Sequence, residues 1–236
     1  MPAPHWLIDE SAHAGPEHLD PAYAAGYNRK AQFDPADDLA LLRDLGLNQQ
    51  STLVDFGAGT GTFALTAAPL CKRVVAVDVS PAMLATVRTK AEHLGLSNVE
   101  CVRHGFLTYE HQGSPAGFAY TRNALHHLPD FWKALALRRI AALLRPGGVL
   151  RLHDLVFSCT PDEAAQVIEA WVAMGAERPE DGWTGAELET HVREEYSTFN
   201  WLLEPMLEQA GFEIREAAYR PSRTYAAYTC LKTNRD

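Results

Sequence analysis

Residues 52–61, Thr52-Leu53-Val54-Asp55-Phe56-Gly57-Ala58-Gly59-Thr60-Gly61, decide how this chain folds. A short run of mostly apolar residues reads as a buried strand, and three glycines at alternate positions end it in a sharp turn. A helix is expected over residues 62–68, stopped near Pro69. Glycine permits the turn, and it also lets a ligand approach where a Cβ would clash. The same turn aims free N–H groups at that ligand from the start of the helix. Strand, glycine turn and helix together make a ligand-binding βα unit.

Similar units flank it. Residues 73–77 predict a second strand, after which Ser80 caps a helix, Pro81 opens it and Gly95 lies just past its end. Residues 98–102 and 117–121 predict two more strands. An apolar-striped helix over 130–144 runs to Arg145-Pro146-Gly147-Gly148, and a fifth strand follows over 149–155. Upstream, Asp34 is placed to cap a helix with Pro35 at its first position, and Leu39, Leu42 and Leu45 follow at helical spacing. Downstream, Thr160-Pro161-Asp162-Glu163 and Thr184-Gly185-Ala186-Glu187 both match the capping box. An amphipathic segment over 199–210 contains Pro205, which either kinks it or marks its true start. Residues 212–219 and 224–231, joined by a turn at Pro221, predict an antiparallel hairpin.

Strands alternating with helices of this length predict parallel βαβ crossovers. The fold class expected is therefore α/β: a Rossmann-like, doubly wound, seven-stranded sheet with an antiparallel C-terminal hairpin and a small helical cap. Residues 1–35 read as an arm over the ligand site, 36–156 and 198–236 as the main domain, and 157–197 as a helical cap insertion.

Composition narrows the function classes. A formal net charge of −9 opposes binding to nucleic acid, whose phosphates are held by Lys and Arg. Cys71, Cys101, Cys159 and Cys230 form no CxxC pair, so they read as reduced thiols. The start, Met-Pro-Ala-Pro-His-Trp, has neither the basic residues nor the apolar core of a signal peptide, and no apolar run is long enough to span a bilayer. A cytoplasmic protein, monomeric or homodimeric and acting on a small molecule, is expected.

The glycine spacing separates two ligand classes. A dinucleotide fingerprint places its third glycine three residues after the second, where this chain has Thr62; here Gly61 follows Gly59 by two. Asp55, two residues before the first glycine, would repel a pyrophosphate and suits a cationic amino group, although it could also simply brace the loop. Asp78, at the tip of the second strand, can accept hydrogen bonds from both hydroxyls of a ribose.

These residues resemble the class I S-adenosylmethionine-dependent methyltransferases. The glycine turn is similar to that family's cofactor loop, and Asp78 to its ribose-binding acid. Asn123-Ala124-Leu125-His126-His127-Leu128-Pro129-Asp130 resembles the segment after its fourth strand, Leu144-Arg145-Pro146-Gly147-Gly148-Val149-Leu150 the turn into its fifth, and the hairpin after Gly211-Phe212 its reversed seventh strand. Small-molecule enzymes of the ubiquinone and menaquinone C-methyltransferase type look most alike. The resemblance implies S-adenosylmethionine as cofactor and S-adenosylhomocysteine as product. It implies cofactor contacts from Asp55, Gly57, Ala58, Gly59, Gly61, Asp78, Val79, Met83, Gly105, Phe106 and Asn123. One departure stands out: the family often has an acid after the third strand that reaches the adenine amino group, and Gly105 occupies that place here.

His126, His127 and His153 are the candidate general bases for an acceptor that must lose a proton. Being adjacent, His126 and His127 cannot face the same way in a helical turn. Tyr27, Arg122 and Asp154 are the candidate substrate contacts, and no metal site is expected. Tyr23, Asn28 and Arg29 of the arm, and Trp171, Trp183, Tyr196 and Trp201 in or near the cap, could line a pocket or form the cap's own core. Two rivals remain open at this level, a non-catalytic cofactor sensor and an NAD-dependent oxidoreductase.

Overall fold

A computed structural model of the chain describes residues 4–15 and 33–234. Tyr23, Tyr27, Asn28 and Arg29 lie outside the described residues. The central sheet is built from β1 (Thr52–Phe56), β2 (Arg73–Asp78), β3 (Val99–Arg103), β4 (Ala116–Arg122), β5 (Leu144–Phe157), β7 (Phe212–Tyr219) and β8 (Tyr225–Lys232). Its order is β3-β2-β1-β4-β5-β8-β7, and a two-residue strand, β6 (Thr198–Phe199), pairs with the end of β5. The first five strands are parallel, whereas β8 runs antiparallel to β5 and β7 antiparallel to β8. The winding direction reverses between β1 and β4, and in open α/β sheets ligands collect at that switch point.

Burial explains the strand composition. In β4 six of seven residues are buried, as expected where both faces of a parallel sheet are covered by helices. Side chains alternate between the two faces: Val54, Val75 and Val77 join one core cluster, while Leu53, Val74 and Ala76 join the other. The helices, in chain order, are α1 (Glu10–His13), α2 (Ala36–Asp44), α3 (Thr62–Ala67), α4 (Pro81–His93), α5 (Asp130–Leu143), α6 (Ala164–Val172), α7 (Gly185–Glu194) and α8 (Asn200–Ala210). The first cluster is closed by Leu137 and Ile140 of α5 with Leu203 and Leu207 of α8, the second by Leu39 and Leu42 of α2 with Phe63 of α3. Among the described residues, no helix is long and apolar enough to cross a membrane.

The structure shifts several expected boundaries. Helix α2 begins at Ala36, and Asp34 accepts the Ala36 N–H at 3.0 Å instead of capping a helix opened by Pro35. Residues 68–70 tighten into a 3-10 turn around Pro69. Strand β5 begins at Leu144, with a register shift against β4 that accommodates Arg145-Pro146-Gly147-Gly148. Helix α8 starts at Asn200 and runs through Pro205, so the proline does not mark its start. Both capping boxes form, at Thr160/Glu163 and Thr184/Glu187.

One polar network joins a helix to the sheet. Asp38 of α2 is buried and accepts from Tyr120 Oη at 2.9 Å, Arg151 Nε at 2.9 Å and His153 Nε2 at 2.8 Å. Burial works against the charged carboxylate, but the hydrogen bonds and charges of His153 and Arg151 outweigh it and hold Asp38 well below the usual range. Removing one member of such a group strands the others. Asp38→Ala is expected to cost about 3 kcal/mol or more in urea unfolding; a loss below about 1 kcal/mol would show that the network contributes little.

Candidate functional site

The glycine turn is wound around the end of β2. Gly57 and Ala58 donate their N–H groups to Val77 O at 2.9 and 3.1 Å, and Gly59 N–H donates to Asp78 Oδ2 at 2.8 Å. The other Asp78 oxygen accepts Ser80 N–H at 2.8 Å. Gly57 has φ +65°, and a Cβ there would fall 2.3 Å from Ala124 Cβ, so only glycine lets the turn meet the segment after β4. That segment is bent by Asn123 at φ +51°, a conformation asparagine tolerates better than most residues, and Asn123 N–H donates to His153 O at 3.0 Å.

Two adjoining cavities open around this crossing. The first, about 690 Å³, is walled by Gly57, Gly59, Asp78, Val79 and Met83, with Gly105 and Phe106 on one side and Arg122, Asn123 and His127 on another. The second, about 800 Å³, is walled by Asp55, Ala58 and Phe63, and shares Gly57, Gly59, Arg122 and Asn123 with the first. Gly61 lines neither; at φ +81° it precedes α3. Arg122 lies over the Phe33 ring, 4.2 Å from its centroid.

Buried acids dominate the walls. Asp55 is 2% exposed, and burial followed by the nearby Asp78 charge raises its pKa well above the usual carboxylate value. Burial also raises that of Asp78, partly offset by the N–H groups of Ser80, Gly59 and Val79. Asp55 Oδ2 and Asn123 Oδ1 are buried with no hydrogen-bond partner among the described residues. Buried acceptors are seldom left so, and two of them beside one cavity fit a ligand that brings N–H donors.

The three candidate histidines separate. His127 walls the first cavity. His126 turns away: its Nδ1 is bound to Asp154 Oδ1 in a short contact, and its Nε2 lies 2.9 Å from Glu195 Oε2. Asp154 also accepts His126 N–H at 2.9 Å and lines neither cavity. His153 is engaged with Asp38 and likewise lines neither. Trp171 is buried and meets His191 edge-on, whereas Tyr196 and Trp201 are exposed.

Glu195 and His191 were not legible as site residues. They end and occupy α7, and Glu195 Oε2 lies 2.9 Å from His191 Nδ1 and 3.7 Å from His127 Nδ1. His126, His127 and Glu195 place ligand-type atoms within 4.8 Å of one another. The four-residue spacing of His191 and Glu195 was the available signal, since it sets both on one helix face. A further hydrogen bond, Tyr196 N–H to His126 O at 2.9 Å, fastens the end of this segment to the turn before α5. Glu10, from the N-terminal α1, also walls the first cavity and was not anticipated.

Residues 53–148 match the family described as a methyltransferase domain. An uncharacterized methyltransferase of Bacillus subtilis, YrrT, is 31% identical over 165 residues, covering 69% of this chain and 70% of its own. Among solved structures, magnesium protoporphyrin IX methyltransferase of Synechocystis with bound S-adenosylmethionine superposes with a TM-score of 0.65 at 13% identity, over 98% of this chain and 100% of that one. The [4+2]-cyclase SpnF superposes at 0.63 with 19% identity, over 84% and 80%. Likeness at such identities shows the fold alone.

Burial disfavours a charged His126, but Asp154 and Glu195 outweigh it and raise its pKa to about 9. A raised folded-state value means the stabilisation is fully present below the unfolded value of about 6.5 and fades as pH rises through about 9. The stability difference between the natural chain and His126→Gln is expected to shrink between about pH 6.5 and 9.5 in urea titrations; a difference constant across that window would show that His126 is not charged.

Proposed function

Because the chain belongs to the class I S-adenosylmethionine-dependent methyltransferases, we propose that it transfers a methyl group in line from S-adenosylmethionine to a small-molecule acceptor. The observation that carries this reading is the pair of buried acceptors without a partner among the described residues, Asp55 Oδ2 and Asn123 Oδ1, beside the second cavity. They suit the ammonium group of the cofactor's amino-acid end. Arg122, which borders the same cavity, suits the carboxylate of that end.

Further cofactor contacts are proposed along the first cavity. Asp78 receives the ribose hydroxyls while its backbone bonds fix its orientation. Val79, Met83 and Phe106 offer apolar surface for the adenine, and Phe56 stacks on Phe106 at 5.3 Å between ring centroids, fixing that wall. Bound there, the cofactor supplies an electrophilic methyl carbon; the chain supplies position and exclusion of water.

His127 is the proposed base for acceptors that must lose a proton, because it alone of the three histidines walls the cavity. His126 acts as its support, packed 4.4 Å away between ring centroids and held by Asp154 and Glu195. Residues 157–197 act as a cap, docked through Glu195 and Tyr196 on the rim where an acceptor would enter. Asp55 and Asp78 would repel a pyrophosphate, which disfavours a dinucleotide. The free thiols of Cys71, Cys101, Cys159 and Cys230 suit a reducing compartment such as the cytoplasm.

Calorimetric titration with S-adenosylhomocysteine should give one-site binding, with no binding of NAD. Asp55→Asn and Asp78→Ala should each weaken it about tenfold or more, the scale of a lost hydrogen bond to a charged group. Binding of NAD instead, or unchanged affinity in both variants, would sink the reading. With a phenolic acceptor found by screening, His127→Ala should lower kcat about 100-fold without comparable loss of cofactor affinity; an unchanged kcat would remove His127 as the base.

A further inference from the structure

The absence of a side chain at Gly105 has a counterpart elsewhere in the chain. A Cβ built there would lie 2.3 Å from both Cδ and Oε1 of Glu10, and 2.5 Å from its Oε2. The space beside Gly105 is therefore filled by the carboxylate of α1. Glu10 is buried although it opens a four-residue helix close to the N-terminus.

The placement is built by several contacts. Leu107 N–H lies 3.1 Å from each Glu10 oxygen, and the Thr108 hydroxyl donates to Oε2 at 3.2 Å. Thr108 Oγ1 in turn accepts Gly105 N–H at 2.9 Å. Asp9 caps α1 through Ser11 N–H at 3.0 Å. Leu7 and Ile8 pack on the first core cluster, and Trp6 stacks on Trp132. With His13 meeting Tyr196 edge-on, the helix is held on both sides of Glu10.

A buried carboxylate is costly unless its lone pairs are used. Glu10 also draws on the Phe106 N–H, and its carboxylate borders the same cavity as Asp78, Val79 and Phe106. Val79, Met83 and Phe106 give that wall apolar surface beside the acid, which suits a flat heterocycle carrying an outward N–H donor. An adenine amino group is such a donor, whereas a 6-oxo base would turn an oxygen towards the carboxylate.

We propose that Glu10 is the acid that reads the adenine amino group of S-adenosylmethionine, and that residue 105 is glycine because the Glu10 carboxylate occupies its side-chain space. The proposal rests on the cofactor assignment. It makes the N-terminal helix part of the binding site and Glu10 and Gly105 a complementary pair.

The test is titration with S-adenosylhomocysteine and with its 6-oxo analogue, S-inosylhomocysteine. The natural chain should favour the adenine form by about tenfold or more. Glu10→Ala should lose most of that preference, and Glu10→Gln should relax it by offering an amide that can donate to the 6-oxo group. The double variant Glu10→Ala/Gly105→Asp should regain it, since the new carboxylate enters the vacated space. The ratio of the two affinities is read, so a partly unfolded variant still reports. An unchanged ratio in both single variants overturns the proposal, and failure of the double variant to regain it overturns the pairing with Gly105. A natural chain that binds neither compound overturns the cofactor assignment itself, which separates the two failures.

Discussion

The approach of Gly57 to Ala124 is the constraint on which the site depends. The polypeptide turns after β1 and after β4 meet where the sheet changes its winding direction, closer than a side chain on residue 57 would allow. That contact sets the floor between the two cavities. It also fixes where Asn123 bends, hence where His126 and His127 leave the strand. The Gly59–Asp78 hydrogen bond ties the third turn, after β2, to the same point. The turns after three neighbouring strands of the sheet, β2, β1 and β4, thereby meet at one point, held by backbone contacts and the Asp78 carboxylate.

Local features were legible from sequence because they are set by neighbours a few residues apart. The glycine turn, the Ser80 cap, both capping boxes and the terminal hairpin all belong to this class. Features that needed distant partners were not. Asp38 lies in the first turn of α2, where an acid suits the positive helix end, yet it is buried against Tyr120, Arg151 and His153 of the sheet. The two-residue β6 carries too few residues to show a period. Glu195 and Glu10 each reach the site from segments far away in sequence, and neither has a motif of its own. Gly105 was visible as a departure from the family pattern; the reason for it lay near the other end of the chain.

The electrostatics of the cavities follow from burial that hydrogen bonds offset only in part. Asp55, Asp78 and Glu10 all have raised pKa values, with desolvation the largest cause in each. Asp55 and Asp78 further oppose one another's ionisation. Such an arrangement costs stability until something cationic or rich in N–H donors arrives, so it favours a ligand with those groups over an anion. S-adenosylmethionine carries an ammonium, a sulfonium and an adenine amino group, and the acids are spaced along the walls that would meet them.

The paired histidines show how one turn serves two purposes. Neighbouring residues there point different ways, so His126 is enclosed by Asp154 of β5 and Glu195 of the cap while His127 faces the cavity. The nearby charges of Asp154 and Glu195 favour the charged form of His126, which ties the segment after α7 to the sheet. Cap position and the orientation of His127 then depend on one buried cation, and a change in the cap that displaced Glu195 would be felt at the wall of the cavity. Acceptor choice, if it resides in residues 157–197, is coupled to the proposed base through this contact and not only through the shape of the entrance.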